Sequence, residues 1–219
     1  MTDLNKRETL RGLYAITDSR LASDSILSQL VELALAGGAK IIQYRDKTDN
    51  LKRRCQEAQS LLSLCRAMQV PLIINDDVEL AFTIGADGVH LGKEDDDIAS
   101  ARRKLGPEAI IGISCYNQFN KAISARAAGA DYIAFGRFHS STTKPAAVAA
   151  NPGLLIRARK ELNIPVVAIG GITPDNGGPL IAAGADMLAV VHAVFGQPDI
   201  RTVCENFRQL FEKPEKMPS

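Results

Sequence analysis

The chain has 219 residues, 46% of them hydrophobic, which is enough for one sizeable core and short but sufficient for a single barrel of eight βα units. The 26 Lys and Arg stand against 25 Asp and Glu, so no global field favours nucleic acid or an anionic membrane. Trp is absent and aromatic residues make up 5%, too few for a base-stacking platform, and no run reaches the ~18 apolar residues of a membrane span.

The N-terminus MTDLNKRETLR is polar and lacks the apolar centre of a signal peptide, so a soluble, cytoplasmic protein is expected. Cys55, Cys65, Cys115 and Cys204 include no C-x-x-C pair, which predicts reduced thiols rather than a zinc site or redox pair.

One junction repeats along the chain. Gly37-Gly38-Ala39-Lys40 precedes IIQYR, Gly85-Ala86-Asp87 precedes GVHLG, Gly129-Ala130-Asp131 precedes YIAFG, and Gly184-Ala185-Asp186 precedes MLAVV. A glycine just past an Ala-rich helix ends it in the left-handed conformation, and a continuous apolar run then reads as a buried parallel strand. Counted this way, strands are expected at 13–17, 40–45, 71–75, 88–92, 110–114, 132–136, 165–169 and 187–191. Helices are expected at 26–36, 52–68, 78–83, 98–105, 118–128, 153–161, 179–183 and 203–212. Eight alternating pairs without a G-x-G-x-x-G turn predict the α/β class and a single (β/α)8 TIM barrel over 1–219, with 1–10 and 213–219 as flexible tails.

In such a barrel the chemistry sits where the strands end. The second strand runs into Gln43-Tyr44-Arg45-Asp46-Lys47, and period 2 places Gln43, Arg45 and Lys47 on one side, a set suited to phosphate. The third ends in Asn75-Asp76-Asp77; one Asp can cap the next helix, and Asp76 has capping-box spacing to Glu79. The fourth is followed by Lys93-Glu94-Asp95-Asp96-Asp97, with Asp97 best placed as a cap. Asp76 or Asp77 near Asp95 offers carboxylate oxygen without His or Cys, the donor set of a hard cation such as Mg²⁺. His90 reads as a satisfied core residue, Ser114 as a hydrogen-bonding group, and Cys115 as a thiol with no base beside it. The sixth strand opens into Arg137-Phe138-His139-Ser140-Ser141-Thr142-Thr143-Lys144-Pro145, a hydroxyl-rich loop suited to phosphate oxygens or a lid. Gly170-Gly171 and Val191-His192 end the last two strands, where this fold commonly cradles phosphate, and Thr173-Pro174 reads as a helix start. Two anion centres beside a magnesium site suggest transfer between two phosphorylated small molecules.

QYRDK, LIINDDVELA, GADGVHLGKED, IIGIS, GADYIAFGRF with SSTTKP, VVAIGGIT and AGADMLAVVHAVF, in this order, resemble the thiamine-phosphate synthase family over nearly the whole chain. The resemblance implies condensation of a pyrimidine methyl diphosphate with a thiazole ethyl phosphate, or its carboxylated precursor. The products are thiamine phosphate and pyrophosphate, formed by dissociative, Mg²⁺-assisted loss of pyrophosphate. It implies that Gln43, Tyr44, Arg45, Asp46, Lys47, Asn75, Ser114 and Lys144 hold the pyrimidine diphosphate. Arg45, Lys47 and Lys144 would be catalytic, and Asp76 and Asp95 would hold the metal. Ser141, Thr142, Thr143, Gly171, Val191 and His192 would hold the thiazole phosphate. Ser141 stands where the family usually has Thr, and His192 where it commonly has Ser. The competing readings are an isomerase resembling thiazole tautomerase, another phosphate-binding barrel enzyme, and a non-catalytic phosphate-binding barrel. The expected partners are small molecules, with neither nucleic acid nor membrane; a homo-oligomer is compatible with the sequence.

Overall fold

The computed structural model describes residues 9–21, 26–92, 97–140 and 149–212. Eight parallel strands close into a barrel in chain order: β1 (Gly12–Ile16), β2 (Ile41–Tyr44), β3 (Leu72–Asn75), β4 (Gly88–Leu91), β5 (Ile110–Tyr116), β6 (Tyr132–Gly136), β7 (Val166–Ile169) and β8 (Met187–Val190). β8 pairs with β1, Leu13 opposite Leu188. The helices are α1 (Leu27–Ala36), α2 (Leu51–Ala67), α3 (Val78–Ile84), α4 (Ile98–Leu105), α5 (Phe119–Ala127), α6 (Gly153–Glu161), α7 (Pro174–Ala182), α8 (His192–Phe195) and α9 (Ile200–Glu212). Among the described residues no helix is long and apolar enough to cross a membrane.

The period of the strands divides the core in two. Tyr14, Ile16, Ile41, Ile73, Tyr132, Val167 and Met187 fill the barrel interior. Their alternates, among them Leu13, Ile42, Ile74, Val89, Ile133 and Leu188, pack under the helices. Each fully buried aliphatic side chain contributes about 1.5–3 kcal/mol. Gly112 leaves room for the Tyr132 ring, since a Cβ there would lie 1.9 Å from its Cζ.

The repeated junction does two things. Gly38, Gly85, Gly129 and Gly184 all take positive φ, ending their helices as expected. The Asp that follows in three copies fastens the neighbouring strand: Asp87, Asp131 and Asp186 accept the N–H of Leu72, Ile111 and Val166, each at 2.8 Å. These N–H groups lie at strand starts, so a carboxylate meets backbone donors at the base of the barrel.

The eight strands lie within two residues of expectation, but three expectations are corrected. Residues 192–195, for which no helix is expected, form a helical turn in which Phe195 N–H bonds the Val191 carbonyl at 3.0 Å. The helix expected at 179–183 starts at Pro174, so the helix start read at Thr173-Pro174 and the run at 179–183 are one element that continues through Gly177, Gly178 and Pro179. Leu10, assigned to a flexible tail, is 1% exposed and packs into the barrel interior.

Candidate active site

The strand ends surround a cavity of about 390 Å³. Seven expected residues line it: Gln43, Arg45, Asn75, Ser114, Gly171, Val191 and His192. Among its described lining residues there are two arginines, Arg45 and Arg137, and no carboxylate. Asn75 is shared with an adjoining, more open hollow lined by Asp46, Lys47, Asp76 and Asp77.

At the end of β2 the expected residues separate. The Arg45 N–H bonds Thr17 Oγ1 at 2.9 Å, and its guanidinium lies 3.7 Å from the Asp18 carboxylate. Asp18, 2% exposed, accepts two bonds from the Arg20 guanidinium, at 3.0 and 2.6 Å. These bonds hold its carboxyl below the ordinary carboxylate range, against the opposing effect of burial. Tyr44 turns the other way: its hydroxyl donates to Glu57 on α2 at 2.6 Å, within the layer beneath the helices. Its side chain is therefore not brought to the cavity, because period 2 sets it opposite Gln43 and Arg45. Asp46 accepts from Thr48 N at 2.8 Å and Thr48 Oγ1 at 3.1 Å, and pairs with Arg53. Burial opposes its ionisation, but the Thr48 and Arg53 bonds prevail and its pKa is lowered. Asp46 thus fastens the loop that carries Lys47.

At the end of β3 the two aspartates take different roles. Asp77 caps α3, accepting from Leu80 N at 2.8 Å, and pairs with Arg54 at 2.7 Å. Of the two aspartates that the sequence offered as a cap, it is Asp77 and not Asp76 that fills the role. Asp76 has φ of 64°, in the left-handed region, and pairs with Lys47 while accepting from Asn75 Nδ2 at 2.5 Å. A non-glycine residue held there costs about 1–2 kcal/mol, least for Asp and Asn. Asp97 caps α4 as expected, accepting from Ser100 N at 2.8 Å.

Under the cavity runs a hydrogen-bonded chain that sequence reading did not find. Gln43 Nε2 donates to the Tyr14 hydroxyl at 2.6 Å, and Tyr14 and Tyr132 hydroxyls lie 2.8 Å apart. His90 Nδ1 is 3.0 Å from Tyr132, and His90 Nε2 is 2.9 Å from Ser114 Oγ. Burial raises both phenol pKa values, so both keep their protons. With the Gln43 amide oriented this way, one direction gives each proton in the chain an acceptor: Gln43 to Tyr14 to Tyr132 to His90 Nδ1, with Nε2–H donating to Ser114. The Ser114 hydroxyl is then the terminal donor at the cavity. His90, read as core, is a linker between core and site. The available signal was register, since Tyr14, Gln43, His90, Ser114 and Tyr132 all occupy inward positions.

The β6–β8 end is built from backbone. Gly170 and Gly171 have φ of 104° and 62°. Phe138 and His139 N–H bond the carbonyls of Ile169 and Gly170 at 3.1 and 3.0 Å, laying the loop after β6 on this turn. A Cβ on Gly171 would lie 2.2 Å from the Ser140 carbonyl oxygen. Asn176 locks the turn, accepting from Thr173 N at 2.8 Å and donating to the Gly171 carbonyl at 3.0 Å. Thr173 and Pro174 start α7 as expected. The His192 imidazole is folded back along α8, so close that a Cβ on Gly196 would lie 1.9 Å from its Nδ1.

Asp95, Ser141, Thr142, Thr143 and Lys144 lie outside the described residues. Among the described residues no group of three His, Cys, Asp or Glu could hold a metal ion. Cys115 is buried under the helix layer, and burial pushes its thiol up to about 12, so it is no nucleophile.

Residues 13–194 match the family profile described as thiamine monophosphate synthase. The chain is 54% identical over 203 residues to the thiamine-phosphate synthase of Nitrosococcus oceani, covering 93% of this chain and 94% of the relative. It is 51% identical to that of Nitrosospira multiformis, covering 97% and 91%. The structure of thiamine phosphate pyrophosphorylase from Pyrococcus furiosus superposes with a TM-score of 0.84 at 35% identity, covering 94% and 97%. With this extent of likeness, and with the barrel mouth arranged as described, the chain belongs to the thiamine monophosphate synthase family.

Proposed function

We propose that the chain joins a pyrimidine methyl diphosphate to a thiazole ethyl phosphate, releasing pyrophosphate and forming thiamine phosphate. The observation that carries this reading is the cavity: arginines at opposite ends, among its described lining residues no carboxylate, and apolar Ile16, Val167 and Ile169 between. Two anionic ends flanking two flat rings match that distribution. Attack by a thiazole ring nitrogen releases no proton, so the reaction needs no general base, in keeping with a described lining without carboxylates.

Arg45 and Lys47 bind the diphosphate and stabilise charge as it departs, which is the main electrostatic term. Lys144 has the same expected role. Gln43 and the Ser114 hydroxyl pair with the polar edge of the pyrimidine, and the Tyr14–Tyr132–His90 chain holds Ser114 in its donor orientation. The pyrimidine methyl cation left by dissociation is captured by the thiazole nitrogen, for which holding the rings together supplies much of the acceleration. At the other end the Gly170–Gly171 turn and the backbone at Val191 and His192 cradle the thiazole phosphate; the folded-back imidazole favours the backbone over the side chain.

Asp76 fits a magnesium site with Asp95. Its donors are hard oxygen, its strained backbone is of the kind found at ligand clamps, and Mg²⁺ commonly takes only one or two protein carboxylates, phosphate and water supplying the rest. A bound Mg²⁺ would neutralise charge on the diphosphate. Asp76 and Lys47 also argue against a tautomerase, which has no diphosphate to hold.

The test is product formation from the two substrates with and without Mg²⁺, read as thiochrome phosphate fluorescence after oxidation. Metal-dependent product is expected. A folded protein that yields none from the thiazole phosphate or its carboxylated precursor would end this reading.

A further inference from the structure

Arg137 is the arginine among the described lining residues that the reading above leaves without a role. It follows β6, four strands round the barrel from β2 and Arg45, so the two guanidinium-bearing positions face each other across the mouth. The peptide unit that follows Arg137 is held at both its carbonyl and its N–H. Ala150 N–H bonds the Arg137 carbonyl at 2.7 Å, and the next residue, Phe138, bonds Ile169 at 3.1 Å. Gly170 admits its side chain, because a Cβ on residue 170 would lie 2.3 Å from Arg137 Cβ. The glycine turn therefore does more than bend the backbone: it seats an arginine root directly against the proposed phosphate cradle. The described lining residues include no carboxylate.

We propose that Arg137 is a binding and specificity residue for the phosphate of the thiazole substrate and of the thiamine phosphate product. A dianionic phosphate at the glycine turn lies beside the Arg137 root, and the planar guanidinium can meet two of its oxygens. Backbone N–H groups alone recognise shape and partial charge; the arginine adds the charge that separates a phosphate ester from its alcohol. Arg137 discriminates ligands by phosphorylation, whereas Arg45 acts at the opposite end on the diphosphate.

This inference rests on the proposed reaction, and its test separates the two. Binding of thiamine phosphate and of thiamine is measured by calorimetry without pyrophosphate, so that no turnover occurs, on the unaltered chain, Arg137→Ala, Arg137→Lys and Arg45→Ala. Thermal unfolding of each variant verifies folding. The expected result is that Arg137→Ala weakens thiamine phosphate by about 10- to 100-fold and thiamine by less than about threefold. Arg137→Lys should restore part of the preference, and Arg45→Ala should leave it in place. Should the preference persist undiminished in Arg137→Ala, or both ligands weaken equally, the assignment is overturned while the proposed reaction stands. An unaltered chain that does not prefer thiamine phosphate to thiamine overturns the phosphate cradle and Arg137 together. Should Arg137→Ala not fold, the ratio in Arg137→Lys decides, because lysine loses the bidentate geometry, and an unchanged ratio there counts against the proposal.

Discussion

The two ends of the cavity are built from different materials. At β2–β3 the groups are charged side chains held by ion pairs: Arg45 by Asp18, and Lys47 by Asp76. At β6–β8 they are a glycine turn and backbone, locked by Asn176, with one arginine among the described lining residues. The difference suits the proposed chemistry. Charge grows on a departing pyrophosphate, and only interactions that strengthen in the transition state raise turnover. The thiazole phosphate is the same before and after reaction, so a fixed cradle gives it uniform binding. Variants at the first end should therefore act on kcat, and variants at the second on KM.

The sharpest break of that contrast is Asp76→Ala. It should lower kcat on the order of 10²–10³-fold and raise the Mg²⁺ requirement, with little change in the KM for the thiazole phosphate. An unaltered Mg²⁺ titration would remove Asp76 from the metal site. Gly171→Ala tests the other end. It imposes a Cβ at positive φ and 2.2 Å from Ser140, and should cost about 3 kcal/mol of stability. Where the variant still folds, KM for the thiazole phosphate should rise more than kcat falls; the opposite split would contradict a uniform-binding cradle.

How far the sequence revealed this site follows the same division. The charged end was visible because Arg45, Lys47 and Asp76 are chemically conspicuous at the ends of apolar runs. Four of the eight strands were visible because helix, glycine and apolar run recur at each Gly-Ala junction, and the other four as short apolar runs between helical patterns. Backbone features were harder to see. The turn of α8 hides in VHAVF, which is apolar enough to continue a strand, and α7 hides behind Gly177, Gly178 and Pro179, whose poor helix propensity is overridden by Pro174 and the Asn176 lock. The interior chain was least legible: Tyr14, Tyr132 and His90 each look like core until closure of the barrel brings β1, β4 and β6 onto one axis. Tyr44 is grouped with its neighbours by motif, although the alternation that sends Gln43 and Arg45 to the cavity turns its side chain outward.

That chain runs from Gln43 on β2 to Ser114 on β5, and Tyr132→Phe divides it in the middle. Removing the hydroxyl takes the acceptor from the Tyr14 hydroxyl proton and the Tyr132 donor from His90 Nδ1 in a buried setting, which should cost about 1–3 kcal/mol. Released from its bond to Tyr132, His90 no longer fixes the Ser114 donor, and kcat/KM for the pyrimidine substrate should fall about tenfold, corresponding to one lost hydrogen bond. A stability loss with unchanged kcat/KM would make the chain purely structural.

The smallest effect is expected at Asp18, which touches no proposed substrate but braces Arg45. Its folded pKa is held down chiefly by the Arg20 hydrogen bonds, so its contribution is present above the unfolded carboxylate value of about 3.9 and is lost as pH falls through the lower folded value. Asp18→Asn keeps the shape and removes the charge. The stability gap between the two proteins should be about 1 kcal/mol near neutrality, limited by the exposure of Arg20, and should close as pH drops below about 4. Asp46, Asp97 and Asp199 also have lowered values, but they titrate alike in both proteins and cancel from the difference. Thermal unfolding from pH 7 to pH 3 measures the gap directly. One that stays constant with pH would mean that the Asp18 charge contributes nothing and that shape alone holds Arg45. A gap that closes would tie the geometry of the diphosphate end to a single carboxylate on the neighbouring strand.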